Sequence, residues 1–225
     1  MDEKPDKKIL QSVENLISTD RVFNFSDGVF AFAATLLVLK IDLPNISPED
    51  LNSARLSFEL FNLWPSYFAN IISFLIICYY WLTHHAIFAL VKKFDQVIIW
   101  LNVIFLIFLS FIPFPVDLFG EYSNSDIIVV FYSASLALVG FLLASIWIYA
   151  SFKHRLIDIN LSRRHILYYS SRFLIAPMVF LFSIPLVFID PLVAKLSWFF
   201  VIIGIFIINR IFHFKRLSLI EKETI

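Results

Sequence analysis

Six stretches of apolar residues decide what this chain can become: 22–41, 62–85, 96–118, 127–151, 166–189 and 192–214. Runs of about twenty such residues match the thickness of a bilayer's hydrocarbon layer when helical. A helix satisfies its backbone hydrogen bonds internally, so it survives where no water is present. The predicted fold class is therefore an all-α membrane protein with six transmembrane helices. Composition agrees: 60% of residues are hydrophobic, 27 are Phe and only 4 are Gly, with mean hydropathy +0.82. Pro65 fits the first turn of the second segment, whereas Pro113 and Pro115 kink or end the third. The predicted domains are an amphipathic cytoplasmic segment over 1–20, a six-helix membrane domain over 21–214, and a cytoplasmic tail over 215–225.

Several functions have no residues to carry them. The net charge is zero, so no bulk field favours nucleic acid, and one cysteine, Cys78, excludes an intramolecular disulfide and a multi-cysteine metal site. His84 and His85 are adjacent, whereas helical metal pairs sit four residues apart. No nucleophile elbow, phosphate loop or dinucleotide fingerprint occurs. The chain is expected not to be an enzyme and to use neither cofactor nor metal. Residues 1–20 lack the apolar core and cleavage site of a signal peptide and are expected to remain on the mature protein.

Orientation follows from the basic residues. Lys4, Lys7, Lys8, Arg21, Lys92, Lys93, Lys153, Arg155, Arg163, Arg164, Arg210, Lys215, Arg216 and Lys222 fall on one side. The other side holds Lys40, Arg55 and Lys195, and Arg172 lies within the fifth segment. Both termini are expected in the cytoplasm. The outer connections carry Asp42, Glu49, Asp50, Glu59, Asp117, Glu121, Asp126 and Asp190. These are either ordinary solvated loop ends or a field that gathers cations at a mouth. Arg172 is expected to snorkel to the interface or to pair with another subunit.

The first segment is the unusual one. Phe25, Val29, Phe32, Leu36, Leu39 and Leu43 form a bulky stripe at helical spacing, with Gly28, Ala31 and Thr35 forming a small stripe beside it. Small residues allow close helix packing in lipid, which leaves the bulky stripe facing lipid, core or a pore. Carboxylates inside apolar spans face protein, water or a partner, and Asp27 is one. Arg21 is six residues away, on a different face, so each needs a partner on another helix. A cluster of Arg21, Ser26, Asp27 and His84 or His85, with Asn102 deeper, is one reading. The other is a helix start, where Ser26 and Asp27 favour the positive helix end.

The run Arg21-Val22-Phe23-Asn24-Phe25-Ser26-Asp27 resembles the RxxxFSD signature of the transmembrane protein 175 potassium channel family. The likeness extends through Gly28-Val29-Phe30-Ala31, Thr35 to Leu39, Trp81 to His85, Asn102 and Pro113. The resemblance implies a homotetramer whose first helices line a central pore, conducting potassium without a TVGYG filter. It places the apolar constriction on Phe32, with Leu36 and Leu39 following and Thr35 as the pore-adjacent threonine. It makes Arg21, Ser26 and Asp27 members of a packing network at the cytoplasmic end. Phe32 stands where that family has an aliphatic residue. Four rings there would occlude a pore or swing aside, which leaves Leu36 or Leu39 as alternative constrictions.

Three functions follow from these residues. The first is a potassium-selective channel in a prokaryotic cell membrane, gated at an apolar ring where ions lose water without gaining ligands. A single chain supplies one such helix, so a pore needs several copies. The second is a proton-coupled transporter using Asp27 and His84, against which stands the absence of an inverted repeat. The third is a non-conducting membrane protein whose polar cluster only orders helices.

Overall fold

The computed structural model describes residues 19–39, 41, 46 and 52–212. The amphipathic segment expected before residue 19, Lys40, Asp42, Leu43, Glu49, Asp50 and the tail over 215–225 lie outside the described residues. The described residues form helices, α1 (Thr19–Leu39), α2 (Ser53–Asn62), α3 (Trp64–Leu90), α4 (Gln96–Phe111), α5 (Pro113–Tyr122), α6 (Asp126–Ser151), α7 (Arg163–Val187), α8 (Pro191–Ser197) and α9 (Phe200–Phe212). Among the described residues, six helical spans are long and apolar enough to cross a membrane: Arg21–Leu39, Trp64–Leu90, Gln96–Tyr122, Asp126–His154, Arg163–Val187 and Pro191–Phe212.

Helix boundaries follow local chemistry. Asn52, Asp95, Ser162 and Asp190 each accept a backbone N–H at a helix start, which satisfies a donor the helix cannot. Pro65 and Pro191 lie in the first turns of α3 and α8. Pro113 opens α5 and separates it from α4 at Ile112, within the third span, since a proline ring disfavours a continuing helix. Pro177 and Pro185 stay inside α7 without ending it. Two features depart from the sequence reading. The second span continues five residues past His85, because Ala86 to Leu90 extend its apolar face. The connection 42–61 contains α2, which buries no side chain and carries an Arg55–Glu59 ion pair of 2.9 Å.

The core gathers on α6, whose Tyr132, Leu136, Leu143 and Trp147 are buried. The Tyr80 hydroxyl donates to the Leu136 carbonyl at 2.7 Å, and Ser73 and Tyr132 share a 2.8 Å hydrogen bond. Gly140 admits α7 at close range: a Cβ there would lie 2.9 Å from Pro177 Cβ and from the Tyr80 hydroxyl. At one end of the bundle the two inter-helix loops are joined. The Lys92 and Lys93 amides both donate to the Leu156 carbonyl, at 2.8 and 3.2 Å. The Tyr149 hydroxyl donates to Asp95 at 2.7 Å. Burial alone would raise the Asp95 carboxyl. The Tyr149 hydroxyl, the Ile98 amide and the nearby Arg155 outweigh it and hold the group below the usual carboxylate range. Arg172 donates to the Tyr168 hydroxyl at 3.0 Å, which donates to Asn209 at 2.8 Å. Its guanidinium thus reaches back one turn toward the start of α7.

Candidate functional site: the first membrane helix and its polar anchor

Helix α1 has two distinct faces. Ser26, Phe30, Ala33 and Leu37 are buried against the bundle, at the i, i+4, i+7, i+11 spacing of one helical stripe. This inner stripe is neither of the two that the sequence singled out. It was obscured because large and small residues alternate on it, so only its partners reveal it.

The opposite face is uncovered. Asp27, Gly28, Ala31 and Thr35 are exposed, as are Phe32 at 60% and Leu39 at 76%. A Cβ added at Gly28 would meet nothing within 4 Å. Among the described residues, the small stripe therefore packs against no helix of its own chain. The bulky stripe is split: Val29 and Leu36 are half-buried, while Phe25, Phe32 and Leu39 are exposed. The Thr35 hydroxyl donates to the Phe32 carbonyl at 3.0 Å.

The inner face is pinned by a buried polar chain. The His84 ring Nε2 meets Asn102 Oδ1 at 2.9 Å; the Asn102 amide donates to Ser26 Oγ at 3.0 Å; and Ser26 donates to the Val22 carbonyl at 2.8 Å. Because Asn102 Oδ1 only accepts, His84 carries its proton on Nε2. All three side chains are buried. Such groups are expensive in an apolar medium unless paired, and one asparagine amide here serves both neighbours. Four rings surround His84: Phe23 and Phe30 of α1, Phe88 of α3 and Phe105 of α4, with centroids 6.4, 5.4, 4.5 and 5.7 Å away. The chain thus ties α1, α3 and α4 together at one level.

Asp27 belongs to a separate arm. Its Oδ1 accepts from the Trp81 indole at 2.8 Å on the exposed side of α1. Asp27 and His84 are bonded to different partners. His85 is exposed and meets the rings of Phe23 and Trp81 at 6.5 and 6.2 Å. Arg21 is exposed and has no ion pair among the described residues. It borders a cavity of about 260 Å³ with Val22, Phe25, Ile99, Asn102 and Leu106. The sequence cluster is thus resolved into a buried triad of Ser26, Asn102 and His84, an exposed Asp27–Trp81 pair, and Arg21 and His85 at its edges. Trp81 was named in the sequence within the Trp81 to His85 run of the family resemblance, and not as a partner of Asp27. Its indole N–H, which seeks an acceptor even in an apolar setting, was the available signal. Among the described residues no group of His, Cys, Asp and Glu has the makings of a metal site.

Residues 21–113 match the family model described as Endosomal/lysosomal potassium channel TMEM175. A protein of Chamaesiphon minutus named as a potassium channel is 32% identical over 175 residues, covering 76% of this chain and 85% of that one. The chain belongs to the TMEM175 family. A Streptomyces collinus relative, also named as a potassium channel, is 39% identical over 106 residues, covering 47% of this chain and half of that protein. The relative from Gallus gallus, named an endosomal/lysosomal proton channel, is 33% identical and is covered over 23% of its length. The crystal structure of a lysosomal potassium-selective channel TMEM175 homolog from Chamaesiphon minutus superposes with a TM-score of 0.71 at 29% identity. That match covers 85% of this chain and 97% of the other. The TMEM175 family is one of channels rather than enzymes, and this member is an integral, multi-pass membrane protein.

Proposed function

We propose that this TMEM175 member is a potassium-selective channel, built as a homotetramer whose four α1 helices enclose the pore. The observation that carries this reading is the uncovered face of α1. Asp27, Gly28, Ala31, Phe32, Thr35 and Leu39 face away from the chain's own bundle, while the opposite face is fixed by the Ser26–Asn102–His84 chain. A helix anchored on one side and bare on the other is suited to surround an axis with its copies. The names of the Chamaesiphon and Streptomyces relatives support potassium as the permeant ion.

The constriction in this reading is the apolar set Phe32, Leu36 and Leu39. An ion passing it sheds water without receiving oxygen ligands, so a small change in ring width decides conduction. Phe32 and Leu39 are the more exposed members, and Leu36 is tucked between. Thr35 lies one turn from both rings and borders the path. Arg21, Ser26, Asp27, His84, His85 and Asn102 position α1 rather than touch the ion. Both termini lie in the cytoplasm of a prokaryotic cell, with the basic loops around Lys92 and Arg155 on that side. No cofactor takes part.

The test is reconstitution of the purified oligomer into liposomes, with potassium, sodium and proton flux measured separately. Potassium flux well above sodium flux supports the proposal. Flux that saturates and requires a proton gradient favours coupled transport instead, and no flux at all favours a purely structural protein.

A further inference from the structure

Arg172 is a cation inside a span that conduction does not use. It lies in the fifth span, Arg163–Val187, where a charged side chain requires a partner. Its own helices supply no carboxylate. α3 reaches it through the Tyr79 hydroxyl, which donates to the Arg172 carbonyl at 3.2 Å, and α9 is joined to the same place through Asn209. Neither α3, α7 nor α9 contains Asp or Glu, whereas α7 and α9 together carry Arg163, Arg164, Arg172 and Arg210. Among the described residues Arg172 makes no ion pair. One of its five N–H donors is used, on the Tyr168 hydroxyl at 3.0 Å. Its remaining nitrogens are not sealed inside the bundle.

The same bonds aim a second donor. Arg172 can only donate, so the Tyr168 hydroxyl accepts from it and gives its own proton to Asn209 Oδ1 at 2.8 Å. That turns the Asn209 amide N–H groups away from Tyr168, and Asn209 is exposed. Tyr168 itself is buried. One buried hydroxyl thus holds a guanidinium and an amide on adjacent helices, both with N–H groups left to give.

Depth and surroundings select the anion. Tyr168 is five residues past Arg163, about 7–8 Å along the helix, and the guanidinium reaches back to that level. An aliphatic stem in hydrocarbon with the charged head drawn toward the phosphates is the arrangement a bilayer imposes on arginine. α9 shows Phe206, Ile207 and Ile211 exposed. It packs on α7, whereas α1 packs on α3, α4 and α5, so with α1 facing the axis of the proposed oligomer α9 is turned to lipid. Phosphate oxygens match the paired N–H groups of a guanidinium.

We propose that Arg172 and Asn209 bind the phosphate of an anionic phospholipid in the leaflet at the Arg163 end of α7. The site rests on membrane embedding and not on conduction: a protein without potassium flux would still bind the lipid. The choice of a lipid over a second copy of the chain rests on α1 facing the axis.

Native mass spectrometry of the purified protein, exchanged into equal phosphatidylglycerol and phosphatidylcholine, tests it. The wild type is expected to retain phosphatidylglycerol preferentially, since in phosphatidylcholine the phosphate is already matched by its own choline. Arg172→Gln is expected to lower that preference roughly fivefold, the worth of one interfacial cation. Arg155→Gln removes the same charge from the loop before α7 and is expected to keep most of the preference. Asn209→Leu, at an exposed position, is expected to lower it as well, and it decides the matter if Arg172→Gln does not fold. Preference unchanged in the folded site variants, or lowered equally by Arg172→Gln and Arg155→Gln, overturns the site. Displacement of the lipid by millimolar inorganic phosphate assigns the site to the free anion and overturns the lipid. Loss of the oligomer in Arg172→Gln with lipid preference unchanged assigns Arg172 to a second chain and overturns the proposal likewise.

Discussion

The Asn102 amide donates to Ser26 Oγ at 3.0 Å while its carbonyl receives His84 at 2.9 Å, so one side chain of α4 fixes the register of α1 against α3. Asn102→Leu removes both bonds at once, leaving the buried His84 Nε2 without its acceptor and Ser26 with only the Val22 carbonyl. The expected cost is about 1–2 kcal/mol, read as a lower Tm in detergent. Ser26→Ala removes the bond from Asn102 and the local one to the Val22 carbonyl but leaves the His84–Asn102 pair, so its loss is expected to be smaller. Equal stability in both variants would mean that the buried chain does not hold α1.

Phe32 and Leu39 differ in bulk but share the exposed face of α1. If they form the narrowest rings, Phe32→Ala and Leu39→Ala widen the path, and potassium flux is expected to rise while preference over sodium falls. Leu39→Asn adds a ligand for the ion and is expected to do the same. Ala33→Gly on the buried face, where Ala33 has no exposure, serves as the comparison and is expected to leave selectivity intact. Flux is compared per oligomer in the same liposomes.

The joined loops carry a pH signature. Asp95 has a folded-state pKa below its ordinary value. Its contribution to stability is therefore fully present above the unfolded carboxylate pKa of about 4 and is lost as pH falls through the lower folded value. Asp95→Asn removes that acid-side dependence. A thermal-melt series from neutral to acid pH is expected to show a shallower loss in the variant than in the wild type.

Two glycines give opposite outcomes. Gly140→Ala drives a methyl group to within 2.9 Å of Pro177 and Tyr80, and the expected destabilisation is about 1–3 kcal/mol. Gly28→Ala meets nothing within 4 Å in its own chain. It gains helix propensity of up to about 1 kcal/mol. Thermal melts of the two variants, side by side, check this.

Much of the architecture could be read before any coordinates. The six spans follow from apolar length alone, and Pro113 marks the break in the third, where it opens α5. The histidines misled: His84 and His85 look like the polar end of a span, yet His84 is buried among four rings and the helix continues beyond it. α2 went unread because its stability comes from an Asn52 cap and an Arg55–Glu59 pair, signals weaker than an apolar run. Of the residues grouped in the sequence, Asn102 joins Ser26 and His84 at one level rather than lying deeper, and Asp27 bonds to Trp81 instead of to the histidines. Adjacent helical residues point about 100° apart, and packing against α3 and α4 sets which of them turns inward.

The central claim is that ions pass along the uncovered face of α1. Cysteine substitution tests it most directly, since Cys78 is the chain's only cysteine and Cys78→Ser gives a clean background. Thr35→Cys and Leu39→Cys are placed on the uncovered face, and Ala33→Cys and Leu37→Cys on the buried one. With a water-soluble thiol reagent added to potassium-loaded liposomes, flux is expected to be blocked in the first pair and unaffected in the second. Block in the second pair with free flux in the first would place the ion path elsewhere.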